Sequence, residues 1–172
     1  MALKTISAQA AAALDKELMS SGGFSIDQLM ELAGLSVSQA VYHVHPPNKG
    51  RRILVACGPG NNGFSFSGEV REPFPAVIRA LEETKLPVTS VDAPSSWNIE
   101  DGPPTSGVGN TFHPAVLVSL TAPKPLVKHF RGRHFIGGRF VAPSIALKYD
   151  FDVPQYSGID QIVEVPTSGN KL

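Results

Sequence analysis

Four groups of residues in this 172-residue chain have types and spacing suited to chemistry. The first is Gly58-Pro59-Gly60-Asn61-Asn62-Gly63, which directly follows the apolar run Ile53-Leu54-Val55-Ala56-Cys57. Glycine lets backbone amides come close to an anion, and Asn tolerates left-handed backbone angles. The second, Phe64-Ser65-Phe66-Ser67-Gly68-Glu69, begins at once and reads as another ligand loop. Its backbone at Ser65 and Ser67 would bind while the two aromatic rings pack inward. The third is Asp92-Ala93-Pro94-Ser95, at the end of a further apolar run. A carboxylate at such a position can serve as a general base, and its plainer role is to cap the following turn. Ser95 is either a ligand or a turn serine. The fourth is Lys124, after Thr121-Ala122-Pro123. It reads as a solvent-facing lysine, with a phosphate contact as the alternative.

Other reactive types carry less. The five histidines make no metal-ligand pattern: His43 and His45 are two apart and point to different helix faces, while His113, His129 and His134 stand singly. Solvated or locally bonded roles suit them. Cys57, the one cysteine, reads as a buried core residue at a strand end.

The elements that must position these groups follow from periodicity. Residues 7–19 read as a helix stopped by Ser20-Ser21-Gly22-Gly23. Ser25 and Gln28 have capping-box spacing, and Ile26, Leu29, Met30, Ala33, Val37, Ala40, Val41 and Val44 recur at helical spacing until Pro46-Pro47. Gly34 inside that helix costs about 1 kcal/mol against Ala unless it permits close packing or a kink. Residues 53–57 read as a buried strand, 73–84 as a helix, and 86–91 and 115–120 as strands. Residues 134–141 read as a fourth strand with a bulge at Gly137-Gly138, 144–149 as a helical turn or two, and the rest as an extended tail. Alternating strands and helices imply a doubly wound parallel sheet, whose strand ends hold ligands.

Bulk properties narrow the function. The length suits a single domain, residues 1–172, with a real core. Hydrophobic residues are 42% and charged residues 17% of the chain, which places it among globular proteins. The formal net charge is zero, which argues against nucleic acid or an anionic membrane as partner. No apolar run reaches membrane-span length, and residues 1–18 lack a leader pattern. The location expected is cytoplasmic, with a mitochondrial one as the alternative.

The motifs together resemble the NAD(P)H-hydrate epimerase family, also called the YjeF N-terminal domain. The resemblance is carried by Asp27-Gln28-Leu29-Met30-Glu31-Leu32-Ala33-Gly34, then Cys57 to Gly63, Gly63 to Gly68, Asp92 to Ser95, and Ser119-Leu120-Thr121-Ala122-Pro123-Lys124. It implies an α/β fold: a Rossmann-like three-layer αβα sandwich with a mainly parallel sheet, here shortened. It implies interconversion of the R and S forms of hydrated NADH and NADPH, with potassium (K+) bound near the ligand. By position, Asn61, Asn62, Gly63, Phe64, Ser65, Phe66, Ser67, Gly68, Glu69 and Asp92 would contact the substrate. Asp92 would also act in proton transfer, and Asn62 and Ser95 would ligate potassium. The partners implied are the hydrated nucleotide and, as an option, a second copy in a homodimer.

The chain departs from the family pattern after Gly63. There the family continues through Gly-Asp-Gly into a helix and further βα units before an acidic strand end leads into the Phe-Ser-Phe loop. Here Gly63 joins Phe64 directly, and both aspartates of that stretch, one of them a potassium ligand in the family, are absent. Ser96 stands where the family usually has Gly. The alternative function is therefore a non-catalytic, nucleotide- or protein-binding short form of the same fold.

Overall fold

The computed structural model describes residues 3–57 and 72–167. Four strands form one sheet in the order β1-β2-β3-β4: β1 Thr89–Val91, β2 Val116–Leu120, β3 Arg133–Gly137 and β4 Ile162–Val165. β1 pairs with β2 and β2 with β3 in parallel, while β4 adds to β3 antiparallel. The tail expected to run extended thus supplies an edge strand in its last part.

The period-2 alternation of β2 and β3 sorts the core onto two faces. Val116, Val118, Leu120 and Phe135 face one way and pack with Ala33, Val37, Ala40 and Val44 of helix α2, Ile26–Val44. Leu117 faces the other way and packs with Trp97, Leu126, Val127 and Phe130. Leu126 and Val127 lie on a 3-10 helix, Pro125–Lys128.

α2 begins as its sequence dictates. Ser25 Oγ accepts from the Gln28 amide at 3.2 Å, and the Gln28 side chain accepts from the Ser25 amide at 2.8 Å, so the capping box closes. The close approach of α2 to the sheet depends on Gly137 rather than Gly34. A Cβ on Gly137 would lie 2.6 Å from Ser36 Cβ, whereas nothing stands within 4 Å of one on Gly34. Ser36 is buried there and donates to the carbonyls of Leu32 and Gln161.

Helix α1, Ala8–Met19, is capped by Ser7 and rests its Leu14 and Leu18 in a second cluster with Ile6, Ala122, Val141, Ala146 and Phe151. Ala146 belongs to the short helix α4, Pro143–Lys148, which with α3, Phe74–Glu83, completes the helices. α3 is tied down by Glu82, whose carboxylate accepts from the amides of Gly109 and Thr111 and from the Thr111 hydroxyl.

Two sequence expectations fail. Residues 53–57 form no strand: Leu54 is 94% exposed and Val55 74% exposed. An apolar run becomes a strand only when a neighbour satisfies its amides and carbonyls, and none of the described strands pairs with it. Cys57 is accordingly exposed, not a core residue.

Candidate functional site

The site forms where β1 and β2 end side by side. Each strand is followed by the same three-residue turn. Asp92 follows β1 at φ 64°, and the Ala93 amide bonds back to the Val91 carbonyl at 2.7 Å. Thr121 follows β2 at φ 67°, and the Ala122 amide bonds back to the Leu120 carbonyl at 2.8 Å. A bond across one residue with positive φ at the centre is the γ-turn geometry, rare and strained for a residue other than Gly. Such a residue costs about 1–3 kcal/mol and persists where its surroundings over-determine it. Here they do. The Asp92 amide donates to the Val118 carbonyl at 2.7 Å, and the Thr121 amide to the Gly137 carbonyl at 2.6 Å. The sequence carries a signal for this pair of turns in the repeated X-Ala-Pro of Asp92-Ala93-Pro94 and Thr121-Ala122-Pro123. Proline pushes each alanine into extended geometry, so the chain must turn at the residue before it.

The two turns bring a buried ion pair together. Lys124 Nζ donates to Asp92 Oδ1 at 2.5 Å and to the Leu120 carbonyl at 2.8 Å. The Leu120 amide donates to the same Oδ1 at 3.1 Å. The side chains of Lys124 and Asp92 are only 7% and 14% exposed. The expectation of a solvent-facing Lys124 is thereby corrected. Burying an ammonium is expensive unless a counter-charge and hydrogen bonds replace water, and Asp92 with the Leu120 carbonyl supplies both.

A second carboxylate, Asp15 on α1, feels the charges of the pair. Asp15 keeps contact with solvent, yet the protein crowding its carboxyl raises its pKa above the usual carboxylate value. Lys124 pulls against that rise and Asp92 adds to it.

Ser95 follows in the Asp92 turn, half-buried, and Ser96 beside it takes φ 71°. The Ser96 hydroxyl is buried without a hydrogen-bond partner among the described residues. Neutral oxygens of this kind suit a hard cation, so Ser95 and its surroundings fit a potassium ion in donor chemistry. Trp97 closes the turn from below, its indole donating to the Phe112 carbonyl at 3.0 Å. Asn61, Asn62, Gly63, Phe64, Ser65, Phe66, Ser67, Gly68 and Glu69 lie outside the described residues. Of the sequence-derived candidates, the structure therefore describes Asp92, Ser95 and Lys124, and it adds the turn at Thr121.

His134 sits on the sheet face away from α2, buried, with its Nε2 2.8 Å from Ser119 Oγ. Burial lowers its pKa to about 4. This is a structural histidine under the site.

Comparison with known proteins agrees with the geometry. A family profile described as YjeF-related protein N-terminus matches residues 63–126, beginning at the junction noted in the sequence. An NAD(P)H-hydrate epimerase of Neurospora crassa is 58% identical over 236 aligned positions spanning 100% of both chains. One of Fusarium vanettenii is 57% identical over the same span, and one of Schizosaccharomyces pombe is 40% identical across 96% of this chain and 97% of its own. An alignment of 236 positions against 172 residues leaves 64 positions of the Neurospora protein without a counterpart here. The crystal structure of a yeast protein superposes with a TM-score of 0.87 at 30% identity, covering 95% of this chain and 100% of that one. With paired strand ends, a buried acid between them and relatives of this identity, the chain belongs to the NAD(P)H-hydrate epimerase family.

Proposed function

We propose that this chain epimerises the R and S forms of hydrated NADH and NADPH, with Asp92 as the residue that meets the reacting end of the ligand. The observation that carries the reading is Asp92 itself. It is a carboxylate held in a strained turn at the C-terminal end of a parallel strand, with one oxygen already anchored. Open α/β sheets place ligands at that edge. Strain retained at such a position is a mark of function.

In this reading, backbone amides of residues 61–69 hold the pyrophosphate. Asp92, or a water it orients, assists at the hydrated ring carbon. The C–O bond there breaks as the departing oxygen takes up a proton, and it re-forms on the opposite face with return of that proton. Nothing is oxidised or reduced, and composition is unchanged. Catalysis of this kind rests on positioning and electrostatics. Asn62 and Ser95 would hold potassium, which when bound supplies positive charge beside the phosphates. The partners inferred are the hydrated nucleotide and a second copy in a homodimer, in a cytoplasmic or mitochondrial location. No helix among the described residues is long and apolar enough to cross a membrane.

A second reading is a non-catalytic binding form. It is favoured by the 64 unmatched positions in an alignment of 236 against 172 residues, and by the exposed run at residues 53–57. Epimerase rate decides between the two, measured with and without potassium. The chain is compared with a version carrying the relatives' segment between Gly63 and Phe64. Turnover in this chain, increased by the segment and by potassium, is the expected result. Turnover only in the lengthened version establishes the binding form, and turnover in neither sinks the epimerase reading.

A further inference from the structure

We propose that Lys124 is a positioning residue for the reaction, fixing the Asp92 carboxylate through Oδ1 so that Oδ2 is presented to the ligand. The inference rests on the epimerase reading of Asp92 and deepens it.

Three observations support it. First, Lys124 is 5% exposed, whereas lysine normally keeps its charge in water. A lysine placed to catch a ligand phosphate would hold its ammonium in solvent. This one turns back onto the carbonyl of Leu120, four residues earlier, and onto Asp92. Second, the bonds to Asp92 are one-sided. Oδ1 takes both the ammonium and the Leu120 amide, and among the described residues Oδ2 accepts no hydrogen bond. A carboxylate pinned at one oxygen can still rotate only about that anchor, so the other oxygen holds a defined direction. Third, α1 is fastened over the Lys124 turn. The Ile6 amide donates to the Pro123 carbonyl at 2.9 Å, and Leu14 and Leu18 pack in the cluster that contains Ala122. The turn that carries Lys124 is therefore held in place from α1, and the ammonium with it.

The test compares kcat and KM for hydrated NADPH in the wild-type chain, Asp92→Asn, Lys124→Met and the double variant, with circular dichroism as the check on folding. A positioning role predicts that Lys124→Met lowers kcat about a hundredfold and changes KM about threefold or less. It also predicts that the double variant is no slower than Asp92→Asn alone, because Lys124 acts only through Asp92. The double variant buries no unpaired charge, so it carries the test if Lys124→Met alone does not fold. A KM rise at constant kcat in Lys124→Met identifies a phosphate contact and overturns the proposal, as does a double variant whose losses multiply. A wild-type chain without turnover is a different result: it overturns the epimerase reading, and this inference with it.

Discussion

Two apolar runs of similar make-up meet opposite fates in this molecule. Residues 116–120, Val-Leu-Val-Ser-Leu, form the fully buried strand β2 and end in the strained turn that carries Thr121 and Lys124. Residues 53–57, Ile-Leu-Val-Ala-Cys, precede a sequence at least as rich in ligand-type residues, yet they form no strand and stand in solvent. Local propensity does not separate the two. The difference is pairing. β2 has a parallel partner on each side, α2 against one face and the Trp97–Phe130 cluster against the other. A strand and its ligand loop are thus a property of the neighbours as much as of the run itself.

That comparison can be broken most sharply by truncating a leucine in each run. Leu117 is fully buried, so Leu117→Ala should destabilise by about 2–5 kcal/mol. Leu54 is almost fully exposed, so Leu54→Ala should stay within about 0.5 kcal/mol. Urea denaturation of both variants measures the contrast. Similar losses would mean that residues 53–57 are packed in solution and that the comparison is mistaken.

A second probe uses the buried histidine of the ordered region. The folded-state pKa of His134, about 4, lies below the ordinary value of 6.5 because burial disfavours its charged form. The sign follows: the unfolded chain binds the proton first, so stability is intact above about pH 6.5 and is lost as pH falls toward 4. The loss attributable to His134 is about 3 kcal/mol at the low end of that window. NMR titration of the ring alongside denaturation at several pH values checks it. A ring that titrates near 6.5 in the folded protein would show that this face of the sheet admits water.

A smaller effect than that of His134 is expected at Ser96, in the turn after Asp92. Its φ of 71° is one glycine adopts freely, and its hydroxyl is buried without a described partner. Ser96→Gly removes both costs and should stabilise the chain by about 1–2 kcal/mol. A lower melting temperature for this variant would mean that the hydroxyl has a partner, and the contrast between the strained turn and its surroundings would need redrawing.

Much of the molecule was legible in the sequence, for reasons that particular residues make plain. The α2 capping box, the helical spacing up to Val44 and the apolar run of β2 are local signals, and each element formed where those signals put it. Asp92 was legible as a candidate because a carboxylate at a strand end can serve as a base or cap the following turn, and the structure pairs it with Lys124. β4 was not, because Ile162–Val165 lies in a proline-punctuated tail and becomes a strand only by pairing antiparallel with β3. Lys124 was misread because lysines are usually exposed, and its counter-charge is 32 residues away in sequence.

The sequence by itself determined the family, the helices with their caps, and the order of strand-end loops, since these depend on residue type and short-range spacing. Only the tertiary structure decided which apolar runs became strands, because a strand needs a partner to satisfy its backbone. It alone decided that Asp92 and Lys124 pair with each other. Coulomb interaction depends on distance through space, and two residues 32 apart in sequence, after two different strands, come within reach of one another only when the sheet aligns those strand ends.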